Sequence, residues 1–287
     1  MKLGIALGGG GVRSAAQLGV VQALLEDGIV PEIYAGTSGG SIAASLLALG
    51  YEPIKAFEKF KVTRNVLDIA FVHIIAGMTS KEKMIQGLFK GKRLEKSLNQ
   101  IFDGKRIGEI EKPLGIATTN LIDGSQLIFT NETQYDWSKI EYAYTEWNSW
   151  GDLNLSEIVR ASCSLPAVFL PKQLDYRTLV DGGLTNNLPS DIAFAMGADR
   201  VVTIALSSYE SNYKLEGIPS ILRQTVDIVT KRNVDIDARY HDMTLRLPLD
   251  DVNILDFERL EECFTRGYVA GKEKLPLIRE SLSNLAI

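Results

Sequence analysis

Two side chains in this sequence have neighbours that suit a nucleophile and its base. Ser38 lies in Gly36-Thr37-Ser38-Gly39-Gly40, a G-x-S-x-G pattern with an apolar run before it and a stretch of small and apolar residues after it. Such a stretch forms a strand, a sharp turn and a helix, with the serine hydroxyl exposed at the turn. Gly36 and Gly40 suit a turn that brings backbones close together. A helix starting there aims N–H groups and the positive end of its dipole at the charge developing on an attacked carbonyl. The plainer alternative is a tight strand-to-helix turn whose serine caps the helix. Asp181, followed by Gly182 and Gly183, ends the apolar Thr178–Val180 stretch. It suits a turn as well as it suits a base or an orienting carboxylate.

A serine hydroxyl is a weak nucleophile and needs a base. The chain has two histidines. His241 would complete the order Ser–Asp–His, but it sits among charged residues without a turn signal, so a solvated helix end is the simpler reading. His73, within Phe71-Val72-His73-Ile74-Ile75, reads as a half-buried or rim residue. Asp181 accepting the Ser38 proton directly needs neither. A third glycine cluster, Gly8-Gly9-Gly10-Gly11-Val12-Arg13-Ser14, follows the apolar run Leu3–Leu7. Its N–H groups suit negative charge. A dinucleotide fingerprint fails at Ser14, and no Gly-Lys-Ser/Thr follows to make a phosphate loop.

The elements that must position these residues alternate between strand and helix. Leu3–Leu7, Ile33–Ala35, Leu114–Thr118, Gln126–Thr130, Thr178–Val180, Arg200–Ala205 and Thr244–Leu247 read as strands. Ala15–Asp27, Ser41–Leu49, Ser156–Ala161, Ser190–Gly197, Ile218–Asp237 and most of Asp256–Leu282 read as helices. This alternation predicts an α/β layered fold with helices on both sheet faces. The 287 residues carry no composition break or repeat, so one domain is expected. Apolar residues make up 45%, enough for a real core. A net charge of −5 argues against nucleic-acid binding. Cys163 and Cys263 make no disulfide framework, which points to a reducing compartment. The N-terminus lacks a signal-peptide pattern, and the uncharged stretch 33–51 is too rich in glycine and serine for a lipid-facing helix.

Together these residues resemble the patatin-like phospholipase family. Gly9-Gly10-Gly11-Val12-Arg13-Ser14 is similar to its G-G-G-x-R/K-G loop, Gly36–Gly40 to its G-x-S-x-G elbow and Asp181–Gly183 to its D-G-G/A motif. The stretches Ala161–Pro171, Asn186–Pro189 and Met196–Asp199 are similar to the segments around that aspartate. The resemblance covers about residues 3–210, with a C-terminal helical part at about 211–287. It implies a three-layer α/β/α fold with a central, mostly parallel sheet, and hydrolysis of lipid acyl esters through a Ser–Asp dyad. Ser38 would be the nucleophile, Asp181 the base, and the N–H groups of Gly9, Gly10 and Gly11 the oxyanion hole. Arg13 would be structural or anchor a carboxylate. Ser14 stands where the family has glycine, which should alter that turn slightly. The chemistry needs neither metal nor cofactor.

For a lipid or acyl-ester substrate, Ile69–Met78 and the mixed-charge segment Lys81–Lys96 read as a lid with a basic flank, or as an amphipathic helical pair packed on the domain. Trp137, Trp147 and Trp150, with Tyr135, Tyr142 and Tyr144, read as the packing of a surface insertion or as an interfacial anchor. A cytoplasmic protein with transient membrane-surface contact is expected. The alternatives are a non-catalytic lipid-binding or regulatory module on the same fold, and an esterase that uses His241.

Overall fold

A computed structural model describes residues 1–65, 87–140, 142, 145–148, 151–206, 218–237 and 243–283. His73, His241, Trp150, Tyr144 and the stretch Ile69–Met78 lie outside the described residues, as do residues 81–86. In chain order the elements begin β1 (Leu3–Leu7), α1 (Ala15–Glu26), β2 (Ile33–Thr37), α2 (Gly39–Ala48), α3 (Pro53–Phe60), β3 (Gly87–Phe89) and α4 (Lys92–Ile101). There follow β4 (Leu114–Asn120), β5 (Gln126–Thr130), β6 (Thr145–Asn148), α5 (Leu155–Ser162), β7 (Ala167–Phe169), β8 (Lys172–Leu174) and β9 (Arg177–Asp181). The chain then forms α6 (Ser190–Ala195), β10 (Arg200–Ala205), α7 (Ile218–Asp237), β11 (Thr244–Arg246) and α8 (Leu260–Ser283).

Among the described residues a central sheet runs β11-β10-β1-β2-β4-β5-β6, and β9 and β8 attach through β4. The pairs β11/β10, β10/β1, β1/β2, β2/β4 and β5/β6 are parallel. The pairs β4/β5, β4/β9 and β8/β9 are antiparallel. Both faces of the sheet are covered, which is why β1 and β10 read as near-continuous apolar runs.

Leu3, Ile5, Leu7, Leu114 and Ile116 share one core with α1, α2, α5 and α8. The opposite face is built from smaller residues, Ala6, Ala35 and Ala117, against Ile192 and Ala193 of α6. Small side chains there let the short helix lie close to the sheet. These layers are the three-layer α/β/α arrangement the sequence predicts.

One strand of the sheet differs from the sequence-based expectation. Thr145–Asn148, expected within a surface insertion, is the edge strand of the main sheet. The described part of Lys81–Lys96 comprises β3 and the start of α4, whose buried Leu94, Leu98 and Ile101 fit the packed amphipathic helix of its two readings. Lys172 ties α4 to α5 through Glu95 at 2.8 Å and Glu157 at 3.1 Å.

α8 crosses α1 so closely that a Cβ at Gly267 would overlap the Ala16 backbone. Alanine in a helix normally gains about 1 kcal/mol over glycine. Here overpacking should reverse the sign, so Gly267→Ala should cost about 1–3 kcal/mol, read as a lower urea midpoint. An unchanged or higher midpoint would contradict this close crossing.

Candidate active site

One edge of β4 carries two strand ends in succession. Ala117 is paired with Thr37, the last residue of β2, and the next residue, Thr118, with Asp181, the last residue of β9. β5 takes the other edge. β2 arrives parallel and β9 antiparallel, so their C-terminal ends meet, and Ser38 emerges beside Asp181. The Ser38 Oγ donates to Asp181 Oδ2 at 2.6 Å.

Ser38 has φ 52° and ψ −127°, a conformation an L-residue adopts only under constraint. The constraint comes from both sides. Thr37 Oγ1 donates to the Asn186 carbonyl at 2.8 Å, and Ser41 Oγ to the Ser38 carbonyl at 2.6 Å. A Cβ at Gly40 would strike the Leu7 carbonyl, so only glycine lets α2 start this close to β1. At Gly36 a Cβ would lie 2.7 Å from the Gly40 carbonyl oxygen.

Asp181 is held as firmly. Its Oδ1 accepts the Gly183 N–H at 2.9 Å, its own N–H donates to the Ser164 carbonyl at 3.0 Å, and Thr119 Oγ1 donates to its carbonyl at 2.9 Å. A Cβ at Gly182 would collide with the Ala117 carbonyl, which fixes the turn against β4. The carboxyl is buried, with 5% exposure. Burial pushes its pKa up to about 6, against the opposing pull of the hydrogen bonds from Ser38 and Gly183. Burial, with the nearby Asp181 charge, also pushes the adjacent Cys163 thiol up to about 12, so it stays protonated at neutral pH.

The glycine loop lies against this pair, and a Cβ on Gly9 would come within 3.3 Å of Ser38 Cβ. Its donors are not equivalent. The Gly9 N–H donates to the Asn187 carbonyl at 3.1 Å and is therefore unavailable to an oxyanion, contrary to the three-donor expectation. Among the described residues no hydrogen bond is made by the N–H of Gly10 or Gly11, and both residues line the cleft. Arg13 is buried, with Nε donating to the Val252 carbonyl at 2.7 Å and Nη2 to that of Asp250 at 3.5 Å. It anchors a loop through carbonyl oxygens rather than through a carboxylate. Ser14, at φ −63°, sits in ordinary helical backbone, with its Oγ against Gly39. The position does not need glycine's freedom.

From this pair an apolar cleft opens, walled by Ile42, Phe60, Leu94, Leu165 and Phe169 on one side and by α7 on another. α7 contributes Val226, Asp227, Thr230 and Lys231 to the wall. It is fixed over the Asp181 turn by Asn233, whose Nδ2 donates to the Leu184 carbonyl at 2.9 Å. The roles of α7, Asn186, Asn187 and Ser164 depend on contacts distant in sequence. Asn186, Asn187 and Ser164 carried a signal only as members of stretches that resemble the family, and α7 only as a helix.

A model of the patatin-like phospholipase family matches residues 5–194. The chain belongs to this family. It is 25% identical to lysophospholipase NTE1 of Mycosarcoma maydis, over 96% of the chain and 15% of that protein. It is 28% identical to patatin-like phospholipase domain-containing protein 7 of Rattus norvegicus, over 94% of the chain and 20% of that protein. The chain thus spans about a fifth or less of the length of these relatives. In fold it is similar to VipD from Legionella pneumophila, with a TM-score of 0.56, 14% identity, and coverage of 96% of this chain and 66% of that one.

The buried Asp181 has a consequence for stability. With its pKa raised to about 6 from 3.8, the folded state holds the proton more tightly than the unfolded chain. The cost of ionising it is absent below about pH 4 and fully present above about pH 6, where the shift corresponds to about 3 kcal/mol. Asp181→Asn should therefore be more stable than the wild type at pH 8, with the gap closing toward pH 4. Urea midpoints across that range test this, and a gap that widens toward acid would contradict it.

Proposed function

We propose that this chain is a serine hydrolase that cleaves acyl esters of lipids through Ser38 and Asp181. The observation that carries the reading is the 2.6 Å hydrogen bond between the Ser38 hydroxyl and the Asp181 carboxylate at the base of an apolar cleft. In the reaction Ser38 Oγ attacks the ester carbonyl carbon while its proton passes to Asp181 Oδ2. The N–H groups of Gly10 and Gly11, with the N-terminus of α2, stabilise the oxyanion. The alcohol or lysolipid leaves with the proton from Asp181. Water, deprotonated by the same carboxylate, attacks the acyl carbon, the bond to Ser38 Oγ breaks with the proton returning from Asp181 to Oγ, and the fatty acid leaves.

A carboxylate with an ordinary pKa is a poor base for a hydroxyl, and the burial of Asp181 brings it nearer to working pH. The apolar cleft fits an acyl chain. The relative named a lysophospholipase makes single-chain phospholipids the first natural substrates to test. Among the described residues no helix is long and apolar enough to cross a membrane. In this reading the substrate is taken from a lipid surface by transient contact.

With p-nitrophenyl esters of graded length and with lysophospholipid, kcat/KM should rise with acyl length. Ser38→Ala should lose roughly 10³-fold or more and all fluorophosphonate labelling. Asp181→Asn should lose roughly 10²–10⁴-fold. Because Asp181 must be ionised to act as a base, wild-type kcat/KM should climb with pH through about 6 and level off above it. Absence of turnover and labelling in the wild type would favour the binding-module reading. Loss of turnover in a folded His241→Ala variant would favour the triad.

A further inference from the structure

The backbones of both residues of the pair are held by one short segment at the end of α5. The Ser38 N–H, at the point where β2 leaves β4, donates to Ser162 Oγ at 2.8 Å. The same hydroxyl donates to the Ala117 carbonyl oxygen of β4 at 2.7 Å. One side chain is thus spliced into the sheet at the position where the β2/β4 ladder ends, using both its donor and an acceptor site. Two residues further on, the Ser164 carbonyl accepts the Asp181 N–H at 3.0 Å. The segment is itself pinned. Arg160, on the preceding turn of α5, donates to Ser164 Oγ and to the carbonyls of Lys90, Gly91 and Leu170. Ser162 is fully buried, as is its bond to the Ala117 carbonyl, while its bond with the Ser38 N–H is part-buried.

We propose that Ser162 is a positioning residue, whose hydroxyl bridge from the Ser38 N–H to the Ala117 carbonyl holds the strained elbow so that Ser38 Oγ stays on Asp181. This inference rests on the dyad reading of the site. The physical case is one of alternatives. Ser38 holds φ 52° only while its neighbours over-determine it. Without the hydroxyl, the part-buried Ser38 N–H and the buried Ala117 carbonyl lose one shared partner. The elbow can then relax toward a common backbone conformation, which swings Oγ away from the carboxylate. A displacement of about 1 Å at such a site can cost roughly 10²-fold in rate.

The test compares wild type, Ser162→Ala and Ser162→Thr by fluorophosphonate labelling rate, kcat, KM and pH profile on the folded fraction from gel filtration. Ser162→Ala should lose roughly 10–100-fold in labelling rate and kcat, with KM for a p-nitrophenyl ester within about twofold. The acid limb of its profile should move upward, because Asp181 loses the Ser38 hydrogen bond that holds its pKa down. Ser162→Thr, which restores the hydroxyl, should recover part of kcat and the wild-type limb. A folded Ser162→Ala protein with wild-type labelling and an unmoved limb would overturn the proposal. Ser162→Cys, nearly the same size, takes its place if Ser162→Ala is recovered unfolded, and wild-type labelling there overturns it equally. An inert wild type would instead strike down the hydrolase reading.

Discussion

The site depends on a single edge of β4 being shared by two strands that end on consecutive residues. Ala117 receives the end of β2 and Thr118 the end of β9. A one-residue slip of β9 would turn Asp181 to the opposite face of the sheet. The glycines follow from this crowding. Gly182 is small because the Ala117 carbonyl is already there, and Gly40 is small because α2 begins against the Leu7 carbonyl. The same junction explains the hydroxyls around it. Wherever a strand ends inside a protein, its last polar backbone groups need partners that are not strands. Ser162, Thr119 and Ser41 supply them.

This arrangement sets the division of labour in the glycine loop. Gly8 and Gly9 extend the β1 ladder sideways, through the Ile204 and Asn187 carbonyls, and so hold the loop in place. Gly10 and Gly11 come after those anchors, at the cap and first residue of the helical turn Gly11–Ser14. Both line the cleft, and among the described residues their N–H groups have no competing acceptor. In the proposed reaction the first half of the loop is scaffold and the second half is the donor set. The anchoring of Arg13 on the Val252 and Asp250 carbonyls secures the far side of the same loop.

Much of this could be read from the residues, because it is written locally. Apolar runs followed by glycine clusters located β1, β2 and β9 and the turns after them, and the match to Leu3–Leu7 and Arg200–Ala205 is residue for residue. What escaped was non-local. β6 carries Glu146 among polar neighbours and gains its strand character only by pairing with β5. The Gly9 donor looks equivalent to its neighbours until the Asn187 backbone arrives from far along the chain. Ser162 sits in a stretch noted only for its resemblance, and nothing in Ala-Ser-Cys-Ser says that its hydroxyl faces a strand end. The α7 wall of the cleft was visible as a helix, but its place over the Asp181 turn comes from Asn233 and the core contact of Val234 with Leu188 and Ala205.

In the proposed reaction, which uses no histidine, the aspartate faces opposing demands. Exposed to water, its carboxylate would be too weak a base for a serine hydroxyl. Fully desolvated and unpartnered, it would stay protonated at neutral pH. The structure holds it between these limits. Burial drives the pKa upward, while the Ser38 and Gly183 donors draw it back to about 6. The nearby thiol of Cys163 remains neutral and adds no competing charge. The strained serine and the buried carboxylate both cost folding free energy, and both are confined to the junction on β4. β1, β2 and β10 are packed on both faces with mainly apolar residues. That packing supplies the rigidity the junction requires, so the strain is borne where the hydroxyl must meet its base.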